Sequence, residues 1–316
     1  MVTASALKLA LAVALIAGVW HLRGGWDGVG PALVAAGWSG LAAVTLFHLL
    51  PTLLCGLAWR ALLPEAPPGA AMSCVVGRWL RDSVNQLLSF LPLGGEVAGA
   101  RLLMRHGIEP GIAGAATVVD LTAEVVAQAV FGLAGVAAWV VLHPDNAVAH
   151  WGAVGLAASL PVLLGLVAAQ RAGLLRVARL LPAAWRAPDL HAGIEAIWAS
   201  PGRLAGAFLL HLAAWFLAIG EAWLALALIG NPVTWAEALA LESMIFAIRS
   251  AAFVVPAGLG VQEGGYVLLG AALGLPAEAT LAVSLLKRGR ELLTGLPALL
   301  AWQWLGRRRT DDAGSA

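Results

Sequence analysis

Two polar stripes run through the otherwise apolar sequence of this chain. One consists of Thr117, Asp120, Glu124 and Gln128, and the other of Ser284, Lys287, Glu291 and Thr294. Side chains three and four positions apart share one face of a helix, so each stripe predicts a helix with a polar face. A charged side chain at the centre of a bilayer costs about 3 kcal/mol on insertion scales, so both faces are expected to point into the protein. There the charges could bind a lipid headgroup, relay protons, or form a purely structural ion network.

A glycine-rich break followed by a carboxylate precedes each stripe. Each side of a break is shorter than the roughly 20 helical residues that cross a bilayer, so we expect two re-entrant hairpins, over residues 73–106 and 235–273. The second arm of each hairpin would begin at the break and direct the free N–H groups of a short helix into the membrane, as an anion site. The competing explanation is that glycine and proline are frequent in membrane helices. The candidate headgroup ligands in the two breaks are Gly94, Gly95, Glu96, Gly258, Gly260, Gln262 and Glu263.

The composition requires that these features lie in a membrane. The chain is 60% hydrophobic and only 12% charged, which is far more apolar than a soluble domain. Its long apolar segments predict six transmembrane helices, over residues 4–22, 30–63, 112–142, 147–169, 203–229 and 276–305. The expected fold is therefore an all-α integral membrane protein with six transmembrane helices and two re-entrant helical hairpins. The arginine-rich segment between the fourth and fifth predicted spans is expected to form a surface helix.

The second half of the sequence repeats the order of the first. Glu263 and Glu291 lie 167 positions after Glu96 and Glu124, and in both halves a break, a carboxylate, a short helix and a polar span follow one another. Each repeat holds three predicted spans and one hairpin, and an odd number of spans inverts the second copy in the membrane. The predicted single membrane domain divides into repeat one (1–142), repeat two (147–305) and a cytoplasmic tail (306–316).

The repeat also predicts which charges meet. Asp120 and Lys287 occupy equivalent positions with opposite charge, so we expect them to pair across a pseudo-twofold axis. Other expected pairs join Glu124 or Glu291 to Arg290 or Arg249. These six side chains complete the set of candidates for headgroup binding.

The distribution of basic residues predicts the orientation of the chain. Lysine and arginine flank the first predicted hairpin, fill the central segment and close the C-terminus, whereas the connections at residues 143–146 and 230–234 carry none. Cytoplasmic loops of membrane proteins carry the excess of Lys and Arg. Both termini are therefore expected in the cytoplasm.

Enzyme motifs are missing from the sequence. It contains no HExxH, CxxC, Walker loop or nucleophile elbow. The enzyme alternative is a metal held by Asp120 and Glu124 for hydrolysis in the membrane, but no histidine joins them at ligand spacing. We therefore expect no enzyme activity and no cofactor. The isolated His48 and His211 are expected to form hydrogen bonds between helices.

Two segments carry a family resemblance. FLPLGGEVAGARLL and VPAGLGVQEGGYVLLGAALGLPAEATLAVSLLKRGRELLTGLPALLAW resemble the membrane region of lysylphosphatidylglycerol synthases, a flippase-like family. The block from GVQEGG to KRGRE looks most like the hopanoid-biosynthesis-associated membrane proteins within it. The resemblance implies a bacterial inner-membrane protein that moves hopanoid or a related amphiphilic lipid between leaflets or toward the outer membrane. The chain ends soon after the sixth predicted span, without the aminoacyltransferase domain of full-length synthases, so transport is expected rather than lipid synthesis.

Two classes of function remain open. The first is a lipid translocator, for hopanoid or for an aminoacyl-phospholipid, in which the hairpins enclose a polar cavity for the headgroup. The second is a non-transporting scaffold or accessory subunit of a lipid-synthesis complex, in which the charges serve only assembly. The expected partners are membrane lipid, together with hopanoid-synthesis or envelope lipid-transport proteins, and not nucleic acid.

Overall fold

The computed structural model describes residues 29–64, 66–88, 93–143, 190–251, 255 and 258–314, with isolated positions between 150 and 168. These residues form helices and no strands. The predicted span over residues 4–22, most of that over 147–169, the arginine-rich central segment, Pro92 and Pro256 lie outside the described residues.

Long helices alternate with short ones along the chain. They are α1 (Val29–Leu62), α2 (Ala70–Leu87), α3 (Gly94–Arg105), α4 (Pro110–Leu142), α5 (Leu190–Trp198), α6 (Pro201–Ile229), α7 (Trp235–Ala251), α8 (Val261–Ala272) and α9 (Ala277–Gly314). Among the described residues, α1, α4 and α6 are each long and apolar enough to cross a bilayer. The prediction of an all-helical membrane protein is thereby confirmed. The last helix continues to Gly314, beyond the predicted end of its span near residue 305.

Local sequence explains where the helices begin and end. Both α4 and α6 begin at a proline, whose missing N–H is tolerated in the first turn. Helix α3 starts directly after Leu93, which has a positive φ of 57°. Helix α8 starts directly after Gly260, which has a φ of 77°. A positive φ is readily adopted only by glycine, so Gly260 suits its position and Leu93 is strained there. The helix breaks therefore fall at the glycine-rich segments.

The two short helices α3 and α8 have 12 residues each. At 1.5 Å per residue they are about 18 Å long, which is well short of a hydrocarbon core of about 30 Å. The first of them packs against α2 and the second against α7. Each pair is thus a helical hairpin with one arm too short to cross a membrane.

The two halves of the chain interlock. Helix α2 packs against α9, and α7 packs against α4, so the first arm of each hairpin contacts the long polar helix of the other half. An indole N–H bonds a backbone carbonyl across each of these contacts: Trp79 Nε1 donates to Thr294 O at 2.8 Å, and Trp139 Nε1 donates to Ala240 O at 2.9 Å. Helices α1 and α6 pack against each other beside this interlocked pair.

Candidate functional site

A cavity of about 440 Å³ lies between the two halves. Residues 48–55 of α1 and 214–221 of α6 line it, which puts it in the middle part of both long helices. Side chains from both hairpins and from α4 and α9 complete the wall. Among the described residues, the charged ones in this lining are Arg78, Arg81, Arg249, Lys287, Arg290, Asp82, Glu96, Glu124, Glu221 and Glu291. Five cations and five carboxylates therefore border one cavity in a membrane protein.

The first cluster surrounds the first hairpin. It consists of Arg78, Arg81 and Asp82 of α2, Glu96 of α3, and Asp120 and Glu124 of α4. The guanidinium of Arg78 donates two hydrogen bonds to the Glu124 carboxylate, at 2.8 and 2.6 Å, and its Nε donates to Asp82 at 2.8 Å. Forked contacts of this kind fix the orientation of both groups and are among the stronger hydrogen bonds in proteins.

Arg81 is the centre of the first cluster. Its three nitrogens contact three carboxylates: Glu96 at 3.3 Å, Asp120 at 2.7 Å and Glu124 at 2.9 Å. The guanidinium carbon also lies 5.9 Å from the centre of the Trp59 ring. With its side chain only 3% exposed, Arg81 holds helices α2, α3 and α4 together around a single buried cation.

One backbone N–H group at each of the two breaks bonds a side chain of the protein. Gly95 N donates to Asn85 Oδ1 at 3.1 Å, and Gly260 N donates to the Glu263 carboxylate at 2.7 Å. A side chain at Gly95 would collide with the backbone of Arg81 and the side chain of Asn85, so this position requires glycine. These two donors were expected to be free for an anion, but polar side chains of the protein already occupy them. At each helix start, one N–H group is therefore engaged within the chain.

The second cluster surrounds the second hairpin. It consists of Glu221 of α6, Glu242 and Arg249 of α7, Glu263 of α8, and Lys287, Arg288, Arg290 and Glu291 of α9. Lys287 Nζ lies 2.6 Å from Glu242, whose carboxylate also accepts a hydrogen bond from the Tyr266 hydroxyl. Among the described residues no ion pair joins Lys287 to Asp120. The prediction of that pair is wrong, because each side chain finds a closer partner within its own half.

Arg288 and Arg249 approach Glu291 from two sides. Arg288 contacts Glu263 and Glu291, both at 2.9 Å, and donates to the carbonyl of Gly258 at 3.2 Å. Arg249 lies farther away, at 3.7 Å from Glu291, and its short bond of 2.6 Å goes to the amide oxygen of Gln262. The predicted pairing of Glu291 with Arg249 is confirmed.

His48 bridges an ion pair between α6 and α9. Arg290 Nε donates to Glu221 at 2.8 Å, while the ring of His48 lies 3.2 Å from both partners, with Nδ1 facing Glu221 and Nε2 facing Arg290. A guanidinium can only donate, so Nε2 must accept and the proton must sit on Nδ1. His48 is therefore neutral in this arrangement, and it forms the hydrogen bond between helices that was expected.

The sequence-predicted site residues divide by position. Those that line the cavity are Glu96, Glu124, Arg249, Lys287, Arg290 and Glu291. Asp120 and Gln262 lie behind its wall and bond the lining cations Arg81 and Arg249, whereas Glu263 bonds Arg288, which is outside the lining. The hairpin breaks are shaped by Gly94, Gly95, Gly258 and Gly260.

The sequence-based site omitted several residues that the structure brings into it. They are Arg78, Arg81, Asp82, His48, Glu221 and Glu242. The sequence carried a signal for Arg78, Arg81 and Asp82. Together with Asn85 they follow the same three- and four-residue spacing as the two polar stripes. His48 and Glu221 are single polar residues in apolar helices and carry no such pattern.

Comparison with known proteins gives one family and no individual relative. The family model described as Lysylphosphatidylglycerol synthase TM region matches residues 5–298. Neither the curated proteins nor the solved structures contain a match. The family match spans nearly the whole chain, including α1 to α8 and most of α9. The chain therefore belongs to the lysylphosphatidylglycerol synthase transmembrane-region family, and it is a membrane protein linked to lipid handling.

Proposed function

We propose that the chain moves an amphiphilic lipid, hopanoid or a related molecule, between the leaflets of the bacterial inner membrane. The observation that carries this proposal is the charged cavity in the middle part of α1 and α6. A polar headgroup crosses a bilayer slowly because apolar surroundings do not replace its hydrogen bonds with water. A cavity that offers both guanidinium and carboxylate groups supplies such bonds, while the acyl or hopane part stays in lipid.

The contact between α4 and α7, where the two halves meet, is the entry that we propose for this mechanism. Gln128 of α4 donates to Ser250 of α7 at 3.0 Å, and this exposed pair belongs to the cavity lining. The headgroup enters at this seam in our proposal, and the apolar part of the lipid remains outside it. Arg249 is adjacent to Ser250 and its side chain is 24% exposed, so it is the first cation that an entering anionic group meets.

The proposed layout is an inverted repeat with two re-entrant hairpins and both termini in the cytoplasm. Exchanging α1 with α6, α2 with α7, α3 with α8 and α4 with α9 maps the principal helix contacts onto one another, which supports two copies of one unit. The short arms α3 and α8 support hairpins that enter and leave on the same side. Within the family, we propose the hopanoid-associated subgroup, on the resemblance of the GVQEGG to KRGRE block.

A scaffold function is favoured by one observation, namely that most charges in both clusters have close partners of opposite sign. Such networks also occur where the only task is to hold helices together. In that case the protein would serve a lipid-synthesis complex without moving lipid itself.

Reconstitution separates the two functions. Purified protein is placed in phosphatidylcholine vesicles containing either acyl-labelled fluorescent phosphatidylglycerol or a fluorescent hopanoid, and dithionite reports the outer-leaflet fraction. The wild-type protein is expected to speed the movement of at least one probe. Glu291→Gln and Arg290→Ala are expected to slow it about tenfold, since each removes a charged hydrogen-bonding group from the cavity.

The matched control is Glu195→Gln on α5, whose carboxylate is 67% exposed and outside the cavity. This variant should move lipid at the wild-type rate. Variants at positions 290 and 291 that lower only the yield of folded protein, with an unchanged rate per molecule, would favour the scaffold.

A further inference from the structure

The two clusters differ in charge. The first holds two arginines against four carboxylates, whereas the second holds four cations against four carboxylates in the described part of the chain. An excess of two negative charges in membrane surroundings is costly unless a positive charge compensates it. The first cluster is therefore where an additional cation is required.

His211 of α6 supplies a group that can carry this charge. Its Nε2 lies 2.8 Å from Asp120 Oδ1, and neither side chain is exposed. A carboxylate oxygen accepts, so Nε2 must carry a hydrogen. Nδ1 is buried, and among the described residues the thiol of Cys55, a weak hydrogen-bonding group, is the neighbour that it faces. Within the part of the chain that the structure describes, no arginine donates to this ring as Arg290 donates to His48, so Nδ1 can accept a second proton.

The surroundings of the pair favour a bound proton. The charged and titratable groups that face His211 and Asp120 are Glu124 on α4, Cys55 on α1, and Arg78, Arg81 and Cys74 on α2. Both arginines are already shared with Glu124, so they compensate Asp120 only in part. The pair lies one helical turn from the cavity lining. Ala214 on α6 is three positions after His211, Glu124 on α4 is four positions after Asp120, and both line the cavity.

We propose that Asp120 and His211 form a proton-binding site and that lipid movement through the adjacent cavity is coupled to the binding and release of this proton. The inference rests on the proposed function for its second part only. One proton from water on one side binds an imidazole nitrogen or a carboxylate oxygen, and the charge of the first cluster rises by one. The proton leaves to the opposite side when the cavity opens there. This coupling identifies the proton gradient as the driving force.

The proton site is tested without lipid movement. Purified protein with ¹⁵N-labelled histidine is studied by NMR between about pH 5 and 11, a range that extends above that of a free imidazole because the carboxylates around His211 favour the bound proton. His211→Gln identifies the His211 signal. His211 is expected to change between the doubly protonated and the singly protonated ring in this range, and Asp120→Asn should shift or abolish that change. A His211 ring that keeps one protonation state throughout overturns the site.

The coupling is tested in phosphatidylcholine vesicles with acyl-labelled phosphatidylglycerol or the fluorescent hopanoid and an imposed pH difference. The wild-type protein should shift the final distribution of the probe between leaflets, by up to about tenfold per pH unit for one proton per lipid. His211→Gln should abolish the shift, whereas the control His191→Gln on α5 should retain it. A wild-type distribution that ignores the gradient overturns the coupling. If the wild-type protein moves no probe, the proposed function and the coupling fail together, and the NMR titration alone decides the proton site.

Discussion

The two hairpins share one plan but neutralise their charges differently. In the first, Arg81 contacts three carboxylates and is almost fully buried. In the second, Arg249 occupies the corresponding arm, bonds a neutral amide, and reaches its nearest carboxylate only at 3.7 Å. The same backbone arrangement therefore holds a cation with all of its nitrogens bonded to carboxylates in the first hairpin, and a cation that is open to further partners in the second.

This difference suggests a division of labour between the halves. A cation with three buried partners cannot release them without leaving negative charges unpaired, so the first cluster is suited to holding helices and a proton. A cation with one short bond to an amide and its nearest carboxylate at 3.7 Å can exchange these partners for a headgroup at lower cost. The same substitution at the arginines of the two hairpins, Arg81 and Arg249, should therefore change the stability and the transport rate of the protein to different extents.

The largest effect is expected from Arg81→Ala. It leaves Glu96, Asp120 and Glu124 without their shared cation, and breaking such a buried pair costs about 3–5 kcal/mol. The free energy of unfolding in detergent should fall by this amount, or the protein should fail to elute as a folded species. Arg81→Lys, which keeps the charge but loses the fork, should be intermediate. Wild-type stability of Arg81→Ala would show that the first cluster does not hold the fold.

The second largest effect is expected from Gly95→Ala. The added methyl would meet the backbone of Arg81 and the side chain of Asn85, so one arm of the hairpin must shift. Overpacking of this kind costs about 1–3 kcal/mol, measurable as a lower unfolding midpoint. Gly202→Ala on α6 is the control, since nothing lies within 4 Å of the added group. Equal midpoints for the two variants would mean that the hairpin is not tightly packed at Gly95.

Arg249→Ala is expected to have a smaller effect on stability and a large one on transport. Its loss leaves Gln262 without a hydrogen-bond partner for its carbonyl oxygen, which costs about 1 kcal/mol. Lipid movement in the vesicle assay should fall about tenfold, because an entering anionic group loses its first contact. A stability loss as large as that of Arg81→Ala would remove the proposed difference between the halves.

The smallest effect is expected from Gln128→Ala at the seam between α4 and α7. The side-chain bond to Ser250 is exposed, so its removal should change the free energy of unfolding by no more than about 0.5 kcal/mol. Lipid movement should be unchanged or faster, since the seam opens more easily. A slower rate would place the entry for the headgroup elsewhere.

The sequence predicted the elements of this fold better than their contacts. Residue spacing identified the polar faces of α4 and α9, and glycines identified the breaks between α2 and α3 and between α7 and α8, because both signals are local. The partner of Asp120 could not be predicted in this way. Spacing along one helix shows which side chains share a face, but the choice between Lys287, Arg81 and His211 depends on how far apart the neighbouring helices lie. The re-entrant and inverted arrangement stays a prediction.

The two indole bonds have a mechanical consequence. The hydrogen bond of Trp79 joins α2 to α9, and that of Trp139 joins α4 to α7. Each bond thus connects a hairpin arm of one half to a long helix of the other. A movement that separates α2 from α9 and α4 from α7 must stretch or break both hydrogen bonds. The two bonds therefore resist such a movement of one half against the other together.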